Sequence, residues 1–182
     1  YPLVPGYESV GRVIATGSEV SGFAGRTVFV PGATCYREAR GLFGGAARRL
    51  VVSAARVLPV PDTLGDRGVL LALAATAYHA IGSGPLPDLI VGHGALGRLL
   101  ARIAVARGGT PTVWETNPDR RDGANGYAVI DPSDNPSGSF ATIVDVSGAA
   151  DLIDPLVGRL ARGGEIILAG FYDRLGFSFP PA

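Results

Sequence analysis

Three glycines at the spacing of Gly92-His93-Gly94-Ala95-Leu96-Gly97 lie between an apolar run ending in Val91 and an apolar helical pattern. In that context each glycine has a task. The first makes a tight turn, the second lets the backbone approach a pyrophosphate, and the third lets helix and strand pack closely. The helix that opens at Ala95 and Leu96 also offers free backbone N–H groups to the phosphates. Glu115 stands 23 residues beyond Gly92, at the end of Thr112-Val113-Trp114. A carboxylate there accepts hydrogen bonds from both adenosine ribose hydroxyls and repels a 2′-phosphate, so loop and acid together predict NAD. Arg120 and Arg121 leave NADP as the lesser alternative, because arginines after this strand can bind that phosphate. His93 is expected either to hydrogen-bond phosphate or to be an ordinary surface-loop side chain. The competing reading is that these glycines only turn the chain and Glu115 is a solvated strand end; the agreement of strand, loop, helix and acid favours the cofactor site.

Such a loop needs a parallel sheet to hold it. From Leu64 to the end, apolar runs and helical patterns alternate over short loops, which predicts a parallel sheet with helices on both faces. Strands are expected near 88–91, 112–115, 127–130, 142–146 and 165–169, the first of them central and its C-terminal end facing the glycine loop. Helices are expected over Leu96–Ala106 and Ala150–Leu160, with a polar helical turn around Pro118–Ala124. Before Leu64 the pattern differs. Short runs at Glu8–Ala15, Arg26–Pro31, Arg49–Ala54 and Val57–Val60, punctuated by glycine and proline, predict strands of a small barrel or partly open sheet. The expected division is a β-rich part over 1–63, a connecting helix over 64–83 and a nucleotide-binding part over 84–182.

Composition excludes several classes. Sixteen basic and sixteen acidic residues leave no net charge, so nothing calls for nucleic acid or an anionic membrane surface. The longest apolar run, Val69 to Ala77, is about half the length of a membrane span. The single cysteine, Cys35, makes neither an internal disulfide nor a metal cluster alone, which suits a reducing, cytoplasmic setting. A small, neutral substrate fits best, and a homodimer is left open. The chain begins at Tyr1, contains no methionine and stops after Phe-Ser-Phe-Pro-Pro-Ala. It reads as an internal fragment whose closing strands lie outside it.

Several stretches resemble the medium-chain dehydrogenase/reductase superfamily. Pro5-Gly6-Tyr7-Glu8-Ser9-Val10-Gly11 is similar to that family's Gly-His-Glu motif. Thr76-Ala77-Tyr78 resembles the interdomain segment that meets the nicotinamide. Asp145-Val146-Ser147-Gly148, and Gly163-Gly164-Glu165 through Gly170 and Phe171, resemble the later strands lining the cofactor. The resemblance implies an α/β fold, a Rossmann-type doubly wound parallel sheet preceded by a partial GroES-like β-rich domain. It also implies cofactor contacts at Thr76, Gly92, His93, Gly94, Ala95, Leu96, Gly97, Glu115, Ser147, Gly148, Gly170 and Phe171. Two departures stand out. Tyr7 replaces the family's histidine zinc ligand, and Ala72 stands where a cysteine ligand is expected. A catalytic zinc needs about three N, S or O ligands, so no metal is expected. The variants Gly-Tyr-Glu-Ser and Gly-His-Gly are most similar to the superfamily's bacteriochlorophyll-biosynthesis branch. That likeness implies NAD-dependent oxidation of a hydroxyethyl side chain to acetyl on a tetrapyrrole.

Oxidising a secondary alcohol requires a hydride acceptor at the carbinol carbon and a group that takes the hydroxyl proton. The candidates for proton handling are Tyr7, Glu8 beside it and His79 on the connecting helix. For each, a structural role is the competing reading: packing for Tyr7, an arginine partner for Glu8, a helix surface for His79. Arg37, Arg40, Arg48 and Arg49 could meet the carboxylates of a macrocycle, and Tyr36 and Phe43 its flat face. Two other functions stay open: a zinc-free reductase of quinones or ketones using NADPH, and a nucleotide-binding protein without catalysis.

Overall fold

A computed structural model describes residues 4–32, 44–135 and 137–172. Cys35, Tyr36, Arg37, Arg40 and Phe43 lie outside the described residues. The chain divides into two compact units, Tyr1–Ala72 and Leu73–Ala182.

In the first unit, β1 (Glu8–Arg12) pairs antiparallel with β2 (Thr27–Pro31), from Glu8 opposite Pro31 to Arg12 opposite Thr27. The two-residue strand β3 (Leu58–Pro59) adds to the other edge of β2. β2 is central and its Val-Phe-Val segment is buried, with Val28, Val30 and Val57 forming the core. The run Arg49–Ala54, expected as a strand, is not one. Leu50 and Val52 pack on that core while Val51 is 88% exposed, so the alternation is present without a ladder partner. The chain then tightens into a 3-10 turn at Ala54–Arg56.

The helix expected over 64–83 is also shorter than its pattern. Residues Asp62–Leu70 form 3-10 turns interrupted at Gly65, and the α-helix proper, α1, runs Leu71–Ile81. Gly65 at φ 50 and Gly68 lie within one turn, and each glycine costs a helix about 1 kcal/mol relative to alanine.

The second unit contains a five-stranded, wholly parallel sheet in the order β6-β5-β4-β7-β8. The strands are β4 (Leu89–Val91), β5 (Thr112–Trp114), β6 (Ala128–Ile130), β7 (Phe140–Asp145) and β8 (Leu160–Leu168). β4 is central, as its uninterrupted Leu-Ile-Val implies for a strand covered on both faces. Ile90, Val113 and Val144 point to one face, where Ala77, Ile81, Leu100, Ala101 and Ala104 of the helices cover them. Leu89, Val91, Trp114 and Ile143 point to the other, against Leu156 of α3 (Ile153–Val157). Strands 4, 5 and 6 progress one way and β7 returns to the opposite side of β4, so a crevice opens beyond the C-terminal ends of β4 and β7.

Two boundaries depart from expectation. The helix expected over Ala150–Leu160 is a 3-10 turn at Ala150–Leu152 followed by the short α3. β8 begins at Leu160 because a bulge lies in it: Phe140 and Thr142 of β7 face Leu160 and Glu165. Arg162-Gly163-Gly164 takes up the difference, with Gly163 at φ 77. Among the described residues, no helix is long and apolar enough to cross a membrane.

Candidate functional site

The glycine loop joins β4 to α2 (Ala95–Ala106) at the sheet's crevice. Gly92 adopts φ 103, and its N–H donates to the Trp114 carbonyl at 2.8 Å. A side chain there would be strained and would press on the Ser147 backbone. At Gly97 a Cβ would lie 1.9 Å from the Gly92 carbonyl oxygen, so helix and strand are in contact at backbone distance. Gly94 is different. Its φ of −73 suits any residue and a Cβ would meet nothing within 4 Å. The N-terminus of α2 carries no side-chain cap and no acid in its first turn. The open space at Gly94 beside uncapped N–H groups fits the diphosphate of a dinucleotide.

Glu115 follows β5 directly and is 8% exposed. Its Oε2 accepts from the backbone N–H of His93 and its Oε1 from that of Asn117, both at 2.9 Å. Burial works against its charge. The Asn117 and His93 amides, with Arg120 nearby, outweigh this and hold the carboxyl below the usual range. The side chain is therefore an ionised acceptor, each oxygen keeping lone-pair capacity beyond its one amide.

His93 fits neither expectation placed on it. It is 1% exposed, so it is no surface residue, and both ring nitrogens are engaged by the protein. Nδ1 lies 2.6 Å from the Arg120 carbonyl oxygen and Nε2 2.8 Å from the Tyr127 hydroxyl, which leaves neither for a phosphate. Burial lowers the ring's pKa, aided by Arg98 and Arg102 and opposed by the Arg120 hydrogen bond and Glu115. Arg121 is likewise committed. Its Nε donates to the Glu115 carbonyl at 2.8 Å, and its Nη2 donates to the Thr116 carbonyl and to Asp131. It is a brace of the turn after β5 and is not available to a 2′-phosphate. Arg120 is exposed.

Beyond β7, Asp145 is fully buried and accepts from the Ser147 N–H at 2.9 Å and the Tyr172 hydroxyl at 2.8 Å. Burial and this carboxylate push the Tyr172 phenol far up, so it remains a donor. Gly148, at φ 75, packs against the backbone of Phe171, and Gly170 against the N–H of Gly148. Ser147, Gly148, Gly170 and Phe171 thus form one rim beside Gly92, with Phe171 fully exposed. The sequence shows Asp145 within the Asp-Val-Ser-Gly stretch but not its bond to Tyr172, and Tyr172 and Tyr127 carry no signal of their own there.

Thr76 and His79 both lie on exposed positions of α1 in this unit, Ala77 between them being buried. Tyr7 and Glu8 belong to the first unit. The backbone before β1 runs against residues 45 and 46, with Gly45 N–H donating to the Gly6 carbonyl and Ala46 N–H to that of Pro5. No Cβ fits at Gly6, which is at φ 109, or at Gly45, so these two glycines fix where Tyr7 emerges. Tyr7 is 62% exposed, not packed in a core, and Glu8 is half-buried. Arg48 and Arg49 are exposed. Among the described residues, no group of three His, Cys, Asp or Glu could hold a metal ion.

Residues 1–62 match the alcohol dehydrogenase GroES-like domain family. Two relatives align with the whole chain. The 2-desacetyl-2-hydroxyethyl bacteriochlorophyllide A dehydrogenase of Rhodobacter capsulatus is 55% identical and that of Cereibacter sphaeroides 51% identical. The chain spans 60% of the length of each. Among solved structures, an alcohol dehydrogenase from Thermus sp. ATN1 superposes with a TM-score of 0.73 at 21% identity, over 99% of this chain and 65% of that one. An alcohol dehydrogenase from E. coli CFT073, complexed with the cofactor NADH, gives 0.77 at 18% identity, over 98% and 64%. These likenesses establish the shared fold, a GroES-like β-rich part and a Rossmann-type sheet.

Proposed function

We propose that the chain is a member of the medium-chain dehydrogenase/reductase superfamily and oxidises the hydroxyethyl side chain of a bacteriochlorophyllide to acetyl with NAD. The observation that carries this reading is identity above one half with two such dehydrogenases over all of the chain, both compact units included. NAD, when bound, supplies the hydride acceptor. In this reading Gly92, Gly94, Ala95, Leu96 and Gly97 receive its diphosphate. Glu115 accepts its adenosine ribose hydroxyls, and its retained negative charge disfavours NADP. Ser147, Gly148, Gly170, Phe171 and Thr76 are assigned to the remaining cofactor contacts. Arg121, bound to backbone carbonyls, gives NADP no support.

We assign handling of the alcohol proton to Tyr7, Glu8 and His79, of which Tyr7 and His79 are exposed and Glu8 is half-buried. The zinc of metal-dependent relatives does not suit these residues. Tyr7 and Ala72 stand at two ligand positions, and a single further ligand with Glu8 is too few for a tight site. The proposal is tested by incubating the full-length protein with a hydroxyethyl bacteriochlorophyllide and either NAD or NADP. An acetyl product with NAD supports it. Turnover of quinones or ketones with NADPH alone rejects it.

A further inference from the structure

We propose that His93 and Tyr127 form a latch that holds Glu115 in place for the adenosine ribose, which makes His93 a positioning residue of the cofactor site. This rests on the reading of Glu115 as ribose acceptor and adds what keeps that acceptor in place. The Arg120 carbonyl can only accept, so the Nδ1 of His93, 2.6 Å away, carries the proton. In the neutral ring Nε2 is then the acceptor, and the Tyr127 hydroxyl, 2.8 Å away, donates to it. One tautomer satisfies both partners. The ring also meets Tyr127 edge-on, with centroids 5.6 Å apart.

The backbone of the same residue completes the device, because its N–H donates to Glu115 Oε2. Arg98, one turn into α2, reinforces it by donating to the carbonyls of His93 and Arg120. A single residue therefore ties three segments together: the glycine loop, the turn 115–121 and the approach to β6. Neither partner is close in sequence, Arg120 being 27 and Tyr127 34 residues away, so the latch closes only when the sheet is assembled. Without it, the turn bearing Glu115 keeps Arg121, Arg98, the Asn117 amide and the Glu115 N–H bond to the Ile130 carbonyl, and the carboxylate spends part of its time displaced. Apparent affinity then falls by the fraction of molecules in which the pocket is formed.

The test uses the full-length protein, with NADH dissociation constants from calorimetric titration and the His93 tautomer from ring 15N shifts. The ring should be neutral with its proton on Nδ1. Tyr127→Phe, which removes one oxygen, should weaken NADH by about three- to tenfold, and His93→Ala by at least as much. His93→Asn, whose amide can still donate to the Arg120 carbonyl, should fall between wild type and His93→Ala. If His93→Ala does not fold, Tyr127→Phe carries the test. A dissociation constant within twofold of wild type in folded Tyr127→Phe, or a proton on Nε2, overturns the latch. Glu115→Ala separates the two readings: if it weakens NADH while Tyr127→Phe does not, only the latch fails. If Glu115→Ala has no effect, the ribose reading fails and the latch with it.

Discussion

Alanine substitutions at two glycines of one loop should fail in opposite ways. At residue 97 the new methyl would lie 1.9 Å from the Gly92 carbonyl oxygen and 3.0 Å from its carbon, both backbone atoms. An ordinary C···O contact is about 3.3 Å or more, so the start of α2 must retreat by roughly 1.4 Å. That helix carries Leu100, Ala101 and Ala104 at zero exposure, and a gap of that size forfeits half or more of each dispersion contact. Overpacking typically costs about 1–3 kcal/mol, and a clash between two backbones belongs at the upper end. Urea unfolding should therefore show Gly97→Ala with its midpoint lowered by about 1–2 M. At residue 94 the methyl meets nothing within 4 Å and φ is already −73. Gly94→Ala should stay within about 1 kcal/mol of wild type in stability. It should nevertheless lose at least about tenfold in NAD affinity, because its methyl enters the space assigned to the diphosphate. Equal destabilisation by the two substitutions, or unimpaired NAD binding by Gly94→Ala, would refute the reasoning.

Three further outcomes are expected. Glu115→Ala should weaken NAD by about ten- to a hundredfold, the worth of a charge-assisted hydrogen bond, while NADP changes little or improves; equal losses for both would mean that the carboxylate does not meet the ribose. Stability should fall as the pH is lowered. The His93 pKa is depressed from 6.5, so its contribution is complete above that value and is lost as pH falls through the folded pKa. Glu115, depressed from 4.5, adds a second loss below that value. Arg98, Arg102, Arg120, Glu115 and Tyr127 face the ring, so urea midpoints between pH 4 and 8 should be compared with those of His93→Asn, which should lack the upper step. Finally, chelation of the purified full-length enzyme should leave its rate within twofold, and stoichiometric zinc whose removal abolishes turnover would contradict the assignment of Tyr7 and Ala72.

Much of the second unit was legible because its signals are local. Leu-Ile-Val at 89–91 reads as a covered strand in this setting, and between it and the apolar helical pattern the glycine spacing marks a strand-to-helix turn. Glu115 could be placed from its distance along the chain. The first unit was less legible, since Leu50 and Val52 alternate like a strand but find no ladder partner. Whether a run pairs depends on neighbours that its own pattern does not encode. The bulge in β8 lay outside the expected strand at 165–169; Gly163 and Gly164 permit it, but the register against β7 decides it. His93 was misread for a related reason. Its type and loop position suggest solvent or phosphate, and only the fold brings Tyr127 and the Arg120 carbonyl to its two nitrogens.

The central claim is the oxidation of a hydroxyethyl group with NAD, and one measurement tests it most directly. Full-length enzyme, NAD and a hydroxyethyl bacteriochlorophyllide are mixed, and NADH formation is followed together with the macrocycle's absorption. Each hydroxyethyl group oxidised should yield one NADH, one proton and one acetyl group. The new carbonyl, conjugated with the ring, should move the long-wavelength band to the red in step with NADH. NADH that binds without any coupled change in the macrocycle, or turnover confined to NADPH and quinones, would contradict the account.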